Sequence, residues 1–147
     1  MRTSVAALAL IRRNECGRTL WLAQWNRNWR RFNLVGGHRL PDESFRECVA
    51  REVGEELGLV QGTDFFCPNE PIAHLEYTAR SGGSGEETAY TVELFDVRLC
   101  SPSAAQKVEA SSANRWLTSA EIAAGRCADG QLVSETMALL LAKAGVE

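Results

Sequence analysis

Three glutamates lie close together in one short segment: Glu52, Glu55 and Glu56. Their spacing would bring three carboxylates together if the segment is a helix. On an ideal helix they occupy an arc of about 100° on two adjacent turns. The apolar positions Val49 and Val53 fall beside this arc and partly beneath it. Three like charges at the edge of a core repel one another and lose hydration. A divalent cation such as Mg²⁺ or Mn²⁺ would relieve both effects, since hard oxygen ligands suit these ions.

The helix geometry also allows a plainer interpretation. Arg51 lies four residues after Glu47 and four residues before Glu55, so both carboxylates can pair with it on an exposed helix face. Helix geometry alone therefore leaves a solvated charge lattice and a metal site as alternatives.

The residue pattern of the whole segment from Gly37 to Leu59 favours the metal site over the solvated charge lattice. It follows the pattern G-x5-E-x7-R-E-U-x-E-E-x-G-U, where U is an aliphatic residue. The matching positions are Gly37, Glu43, Arg51, Glu52, Val53, Glu55, Glu56, Gly58 and Leu59. This is a complete Nudix box, and the chain resembles a Nudix hydrolase at every defining position.

The resemblance implies a fold of class α/β, a Nudix-type α/β/α sandwich with a mixed, curved β-sheet. It implies that Glu52, Glu55 and Glu56 bind the metal, with the backbone carbonyl of Gly36 as a further ligand. The implied cofactor is Mg²⁺, for which Mn²⁺ can substitute. Arg51 would pair with Glu43 of the preceding loop and lie near the carboxylate cluster.

The reaction that the resemblance implies is hydrolysis of a nucleoside diphosphate linked to a group X. Metal ions would clamp the phosphate oxygens, and a carboxylate would take a proton from the attacking water. Glu52, Glu55 and Arg51 are the expected catalytic residues of the box. An additional general base is expected at Glu109, in a polar loop predicted from Ser101 to Asn114.

Other carboxylates are alternatives to Glu109. Glu93, in a predicted strand, could point into the cleft. Glu86 and Glu87, in a predicted mobile loop from Arg80 to Glu87, could close over the substrate.

A basic and aromatic stretch before the box is the expected substrate-binding segment. Its guanidinium groups could hold phosphate and its rings could stack on a base. The alternative is a solvated loop anchored by an aromatic residue. Tyr77 has a spacing from the box seen in dinucleoside-polyphosphate hydrolases of this family. The expected substrate-binding residues are Arg27, Arg30, Arg31, Trp29 and Tyr77.

These residues must be positioned by a small number of elements. The patterns predict strands over 5–13 and 19–24, joined by a turn at 14–17, and a connection over 25–33. A helix is predicted from about Ser44 to Leu57, with Ser44 and Glu47 as a capping box and Gly58 as its stop. Further strands are predicted over 72–79 and 89–99, and two helices after Trp116.

Composition limits the remaining possibilities. The 147 residues, 45% hydrophobic and 24% charged, predict one globular domain over 1–147. A net charge of −3 argues against extended nucleic-acid binding. The partner that the resemblance implies is a small-molecule nucleotide or diphosphate substrate. Five cysteines without C-x-x-C pairs predict reduced thiols and a cytoplasmic protein, with no membrane association. A homodimer is compatible with these features.

The sequence leaves two alternatives to an enzyme. The first is a nucleotide-sensing protein without turnover, in which a box glutamate would commonly be lost. The second is an RNA-interacting protein that uses the basic segment. The complete box favours the enzyme.

Overall fold

The computed structural model describes residues 1–80 and 85–146 of the chain. The strands in this part are β1 (Arg2–Leu10), β2 (Arg12–Glu15), β3 (Arg18–Asn26), β4 (Arg31–Asn33), β5 (Val35–His38), β6 (Phe65–Phe66), β7 (Ala73–Arg80), β8 (Glu87–Asp96), β9 (Arg98–Leu99) and β10 (Asn114–Thr118). The helices are α1 (Phe45–Leu57), α2 (Pro102–Glu109), α3 (Ser119–Ala124) and α4 (Glu135–Lys143).

Most of the strands belong to two sheets, one mixed and one antiparallel. The mixed sheet has the order β5-β1-β8-β7, in which β1 and β8 run parallel and the other neighbours antiparallel. The second sheet has the order β10-β3-β2, with β4 paired to β3, and β6 pairs with β9. Only Ile11 separates β1 from β2, so the chain passes directly from one sheet into the other.

Strand β1 is buried on both faces, which places it at the centre of the molecule. Leu8 and Leu10 belong to the hydrophobic cluster that contains the buried residues of α4. Ala7 and Ala9 point to the opposite face, into the cluster formed with α1. A strand covered by helices on both faces is typical of an α/β sandwich. The predicted α/β fold class is therefore confirmed.

Helix α1 has the boundaries that local interactions predict. The Ser44 hydroxyl accepts from the Glu47 N–H at 3.1 Å, and a Glu47 carboxylate oxygen accepts from the Ser44 N–H at 2.9 Å. Gly58 ends the helix with φ of 66°, a left-handed conformation that glycine adopts without steric cost. The capping box and the stop are both confirmed.

The prediction of a loop from Ser101 to Asn114 is wrong. The segment contains helix α2, which Ser101 caps by accepting from the Ala104 N–H at 3.1 Å. Ala104 and Val108, one turn apart, are fully buried. This pair is too short an apolar pattern to reveal a helix in the sequence, and packing against the core stabilises it.

The predicted connections are also shorter than expected. Strand β3 continues to Asn26 and β4 begins at Arg31, so only 27–30 form the turn, with Arg30 at a φ of 55°. In the predicted mobile loop, β7 reaches Arg80 and β8 begins at Glu87, while 81–84 lie outside the described residues. Within the described residues, every helix is too short or too polar to cross a bilayer.

Candidate active site

The box helix α1 lies directly against strand β5 at two consecutive glycines. Gly36 and Gly37 pair with Leu8 and Ala7 of β1. A Cβ at Gly37 would lie 2.7 Å from the carboxylate of Glu52, and a Cβ at Gly36 would lie 2.3 Å from the Ala7 carbonyl oxygen. Only glycine therefore lets the helix carboxylates approach the strand backbone this closely.

Glu56 contacts the same strand. Its Oε1 atom accepts a hydrogen bond from the Gly36 N–H at 2.9 Å. Burial raises the pKa of Glu56 to about 7, the Gly36 hydrogen bond lowers it, and the nearby carboxylates of Glu52 and Glu55 raise it further. Burial and the neighbouring carboxylates therefore disfavour the charged form of Glu56.

Arg51 is a cation in direct contact with this cluster. Its Nε and Nη2 atoms donate to both oxygens of Glu43, at 2.9 and 2.7 Å. Its Nη1 donates to Glu52 at 2.9 Å and lies 3.4 Å from Glu55, while Nη2 also donates to the His38 carbonyl at 3.2 Å. The hydrogen bonds from Arg51 are the main reason that the pKa of Glu43 is lowered to about 2. Arg51 therefore joins the loop before α1 to the box glutamates, as the sequence predicts.

The donor chemistry fits a hard divalent cation. The ligand atoms that Glu52, Glu55, Glu56 and the backbone carbonyl of Gly36 offer are all oxygens. In the described residues, however, no three His, Cys, Asp or Glu side chains are grouped as a metal site. The carboxylates of Glu52 and Glu55 face the Arg51 guanidinium. The carboxylate of Glu56 accepts from the Gly36 N–H. The carboxylates are thus held near one another by protein donors that a metal ion would have to replace.

The candidates for the general base that lie outside the box are on other elements of the described chain. Glu109 ends helix α2 and accepts from Arg13 at 2.5 Å, and the Arg13 guanidinium stacks 4.6 Å from the Trp116 ring centroid. Glu93 lies on β8, and its carboxylate is 2.7 Å from Nδ1 of His74. Neither carboxylate is hydrogen-bonded to a box glutamate within the described residues.

The two remaining acidic candidates lie at the start of β8. Glu87 is the first residue of that strand. Glu86 lies 3.8 Å from the Arg2 guanidinium, with both side chains more than half exposed.

A cavity of about 300 Å³ lies beside Gly36, Gly37 and Glu56. Trp29 and Tyr77, two of the predicted substrate-binding residues, line it. The remaining predicted residues of this group are exposed side chains at the 27–30 turn and the start of β4, outside the cavity lining: Arg27, Arg30 and Arg31. The structure therefore brings the predicted aromatic residues to the box, but leaves the guanidinium groups on the outer surface.

Trp25, which belongs to the predicted basic and aromatic stretch, also lines the cavity. Two further lining residues had no sequence signal strong enough to single them out: Tyr90 completes the aromatic lining, and Asn33 contributes a buried amide. Asn33 is the one polar residue among the apolar neighbours Phe32, Leu34 and Val35. This contrast with its neighbours is the sequence feature that distinguishes Asn33.

Comparisons with known proteins agree with this geometry. The sequence profile of the NUDIX domain matches residues 2–136. The chain is similar in fold to an Ap4A hydrolase from C. elegans, with 20% identity, a TM-score of 0.66, and coverage of 96% of this chain and 95% of that one. It is also similar to a MutT protein from Methanosarcina mazei Go1, with 22% identity, a TM-score of 0.56, and coverage of 98% and 94%.

A third solved structure, of NrtR from Shewanella oneidensis with a 27mer DNA, is 15% identical with a TM-score of 0.60. The similarity covers 95% of this chain and 59% of NrtR. The comparison with curated proteins produced no match. At these identities the solved structures establish the fold.

Proposed function

Because this chain belongs to the Nudix family of hydrolases, we propose that it is a divalent-metal-dependent pyrophosphohydrolase. Its substrate is a nucleoside diphosphate linked to a group X, and it cleaves the diphosphate linkage by attack of water on phosphorus. We propose residues 1–147 as one catalytic domain that acts on a small molecule. One observation carries the proposal: the box carboxylates of Glu52 and Glu56 meet the Gly36–Gly37 backbone, where Glu56 and both glycines line an aromatic cavity.

The proposed metal ligands are Glu52, Glu55, Glu56 and the carbonyl of Gly36. Bound Mg²⁺, or Mn²⁺ in its place, would supply positive charge for the phosphate oxygens and lower the pKa of water. The proximity of the Glu52 and Glu55 carboxylates to Glu56 supports this assignment, because neighbouring like charges favour binding of a cation between them. Arg51 positions Glu52 and Glu55 through its hydrogen bonds and offers its own charge to the transition state.

The proposed reaction moves one proton and breaks one bond. The water oxygen forms a bond to phosphorus, and the P–O bond of the anhydride breaks, leaving its electron pair on the departing phosphate. A carboxylate accepts the proton of the attacking water. Glu109 is the proposed base, with Glu93 and the box glutamates as alternatives. To reach the water, Glu109 must leave Arg13, and a pair this exposed costs little to open.

The proposed substrate contacts divide into two groups. Trp29 and Tyr77 line the cavity and offer ring faces, while the guanidinium groups of Arg27, Arg30 and Arg31 are available to phosphates outside it. The fold similarity to an Ap4A hydrolase makes dinucleoside polyphosphates one class to include among the substrates tested.

A phosphatase-coupled assay of a nucleotide library, with Mg²⁺ or Mn²⁺, tests the proposal. We expect phosphate release from at least one nucleoside diphosphate derivative, abolished by EDTA and absent in Glu55→Gln. Metal-independent turnover, or full turnover by Glu55→Gln, contradicts the metal assignment. Binding without turnover of any nucleotide would support the alternative, a nucleotide-sensing protein on the same fold.

A further inference from the structure

A second cavity is lined by strands β2 and β9 and by the start of helix α2. Its volume is about 680 Å³, and it shares no lining residue with the aromatic cavity beside the box. Three of its lining side chains are guanidinium groups: Arg12 and Arg13 of β2 and Arg98 of β9. Asp96 is the one acidic residue among the described lining residues. A cavity lined by an excess of positive charge attracts anions.

Arg12 and Arg98 share a single carboxylate. Asp96 lies 3.1 Å from Nη2 of Arg12 through Oδ1 and 3.5 Å from Nη2 of Arg98 through Oδ2. One carboxylate carries half the charge that would neutralise two guanidinium groups. The Arg98 side chain is 76% exposed, so it can turn toward a ligand with little loss of stabilisation. These two residues therefore leave one positive charge for an anion.

Arg13 has a donor that the folded chain leaves unused. Its terminal nitrogens pair with Glu15 at 2.8 Å and with Glu109 at 2.5 Å, and both carboxylates are about half exposed. Its Nε atom and Nε1 of Trp116 are buried without a hydrogen-bond partner among the described residues. The two groups are neighbours, since the Arg13 guanidinium lies 4.6 Å from the Trp116 ring centroid. Because buried donors without acceptors destabilise a folded protein, a ligand that brings acceptor oxygens to these two lining residues is favoured.

A phosphate group matches this set of donors. A phosphate monoester carries a charge of about −1.5 to −2 at neutral pH and presents three strong acceptor oxygens. Guanidinium groups bind phosphate with two parallel hydrogen bonds. A carboxylate ligand brings a single charge, which Asp96 already supplies to Arg12 and Arg98. The volume of about 680 Å³ also accommodates the small organic group of a phosphate ester.

We propose that this cavity is a second binding site, which takes a free phosphate ion or the phosphate group of a small ester. Arg12 and Arg98 hold the phosphate oxygens, and Arg13 and Trp116 donate further hydrogen bonds. Binding needs no metal ion, because the positive charge comes from guanidinium groups. The inference goes beyond the proposed function, since none of these four residues belongs to the proposed catalytic, metal-binding or substrate-binding set.

Alkylation of cysteine by iodoacetate tests the proposal at the site itself. Cys100 is exposed and lines the cavity, whereas Cys16 is exposed outside the lining and serves as an internal control. Iodoacetate is itself an anion, so a phosphate bound beside Cys100 repels it. The rates at the two thiols are measured by mass spectrometry at constant ionic strength, with EDTA present so that phosphate cannot bind through a metal ion at the box. We expect inorganic phosphate to slow the alkylation of Cys100 saturably and to leave that of Cys16 unchanged.

Two further anions identify the source of the phosphate group. Glycerol 3-phosphate carries the group as an ester, and acetate supplies a single carboxylate charge. Protection of Cys100 by inorganic phosphate alone assigns the site to the free ion, whereas stronger protection by glycerol 3-phosphate assigns it to an ester. Equal protection by acetate at the same ionic strength would overturn the assignment to phosphate.

Substitutions of the lining residues supply the second test. Arg98→Gln removes a guanidinium that is mostly exposed, so the fold should be retained. We expect the phosphate concentration that half-protects Cys100 to rise by about tenfold or more, the usual effect of losing a charge-assisted hydrogen bond. Arg18→Gln, at the start of β3 and outside the cavity lining, is the matched control and should leave this concentration unchanged. Trp116→Phe keeps an aromatic ring but removes the N–H donor, so it should also weaken the protection.

Thermal melting in EDTA gives a readout that does not depend on the thiols. Phosphate should raise the Tm of the wild type more than that of Arg98→Gln, because a ligand that binds only the folded chain stabilises it. Equal slowing at Cys100 and Cys16, or no slowing at either, would exclude a phosphate site in this cavity. An unchanged half-protecting concentration in Arg98→Gln would contradict the role of the shared guanidinium pair. Because every measurement is made without a divalent metal and without turnover, failure of this inference is distinct from failure of the proposed function.

Discussion

The guanidinium group of Arg51 and the carboxylate of Glu43 form a two-pronged contact, with Nε–Oε2 at 2.9 Å and Nη2–Oε1 at 2.7 Å. The remaining terminal nitrogen, Nη1, donates to Glu52 at 2.9 Å. One side chain therefore anchors the loop before α1 and orients a proposed metal ligand. This geometry needs a planar fork, which arginine has and lysine lacks.

The first prediction concerns Arg51→Lys. A lysine ammonium keeps the charge but cannot bind Glu43 with two parallel hydrogen bonds while reaching Glu52. We expect a lower Tm and a kcat reduced by about tenfold or more, since misplaced catalytic groups are costly. Arg18→Lys, at the exposed start of β3, is the control. Wild-type values of Tm and kcat in Arg51→Lys would show that a positive charge at this position is enough, without the two parallel hydrogen bonds to Glu43.

The second prediction concerns acid stability. The pKa of Glu43 is lowered from 4.5 to about 2, because the folded protein favours its charged form. The stabilisation is therefore complete above pH 4.5 and is lost as the pH falls from about 4.5 to about 2. Glu43→Gln cannot titrate, so the Tm difference from the wild type should shrink over that range. A difference that is constant with pH would contradict the prediction.

The third prediction concerns the carboxylates of the box. Glu55→Gln and Glu56→Gln keep the side-chain shape but weaken cation binding. We expect each to lower turnover by about 10²-fold or more, the equivalent of several kcal/mol of transition-state stabilisation, with an unchanged circular dichroism spectrum. Near wild-type turnover at saturating Mg²⁺ in either variant would remove that residue from the metal site.

The fourth prediction concerns metal and stability. Three neighbouring carboxylates repel one another, and a bound cation relieves this repulsion only in the folded state. Millimolar Mg²⁺ should therefore raise the Tm, by an amount equivalent to about 2.7 kcal/mol at 100 times the Kd. Glu56→Gln should reduce this response. An unchanged Tm, with and without a nucleotide, would count against a metal site of useful affinity.

The fifth prediction concerns the general base. Glu109→Gln should lower kcat by about 10²- to 10⁴-fold, the usual contribution of general-base catalysis. It should change the Tm little, because its pair with Arg13 is partly exposed. Glu93→Gln is the comparison variant. Loss of activity in Glu93→Gln and not in Glu109→Gln would assign the base to strand β8.

Local interactions explain what could be predicted from the sequence alone. The arc formed by Glu52, Glu55 and Glu56 follows from the period of a helix, and the ends of α1 follow from hydrogen bonds at Ser44 and the left-handed Gly58. Each of these features involves residues a few positions apart. The spacing of the box, which identifies the family, is likewise contained in one segment.

Contacts between distant residues had to come from the tertiary structure. Glu56 meets Gly36 because α1 packs on β5. Glu109 meets Arg13 across 96 positions because α2 packs on the sheet that contains β10 and β2. Helix α2 itself depends on burial of Ala104 and Val108 rather than on its own sequence pattern. The sequence specifies an amide at Asn33, but only packing buries it in the wall of the cavity beside the box.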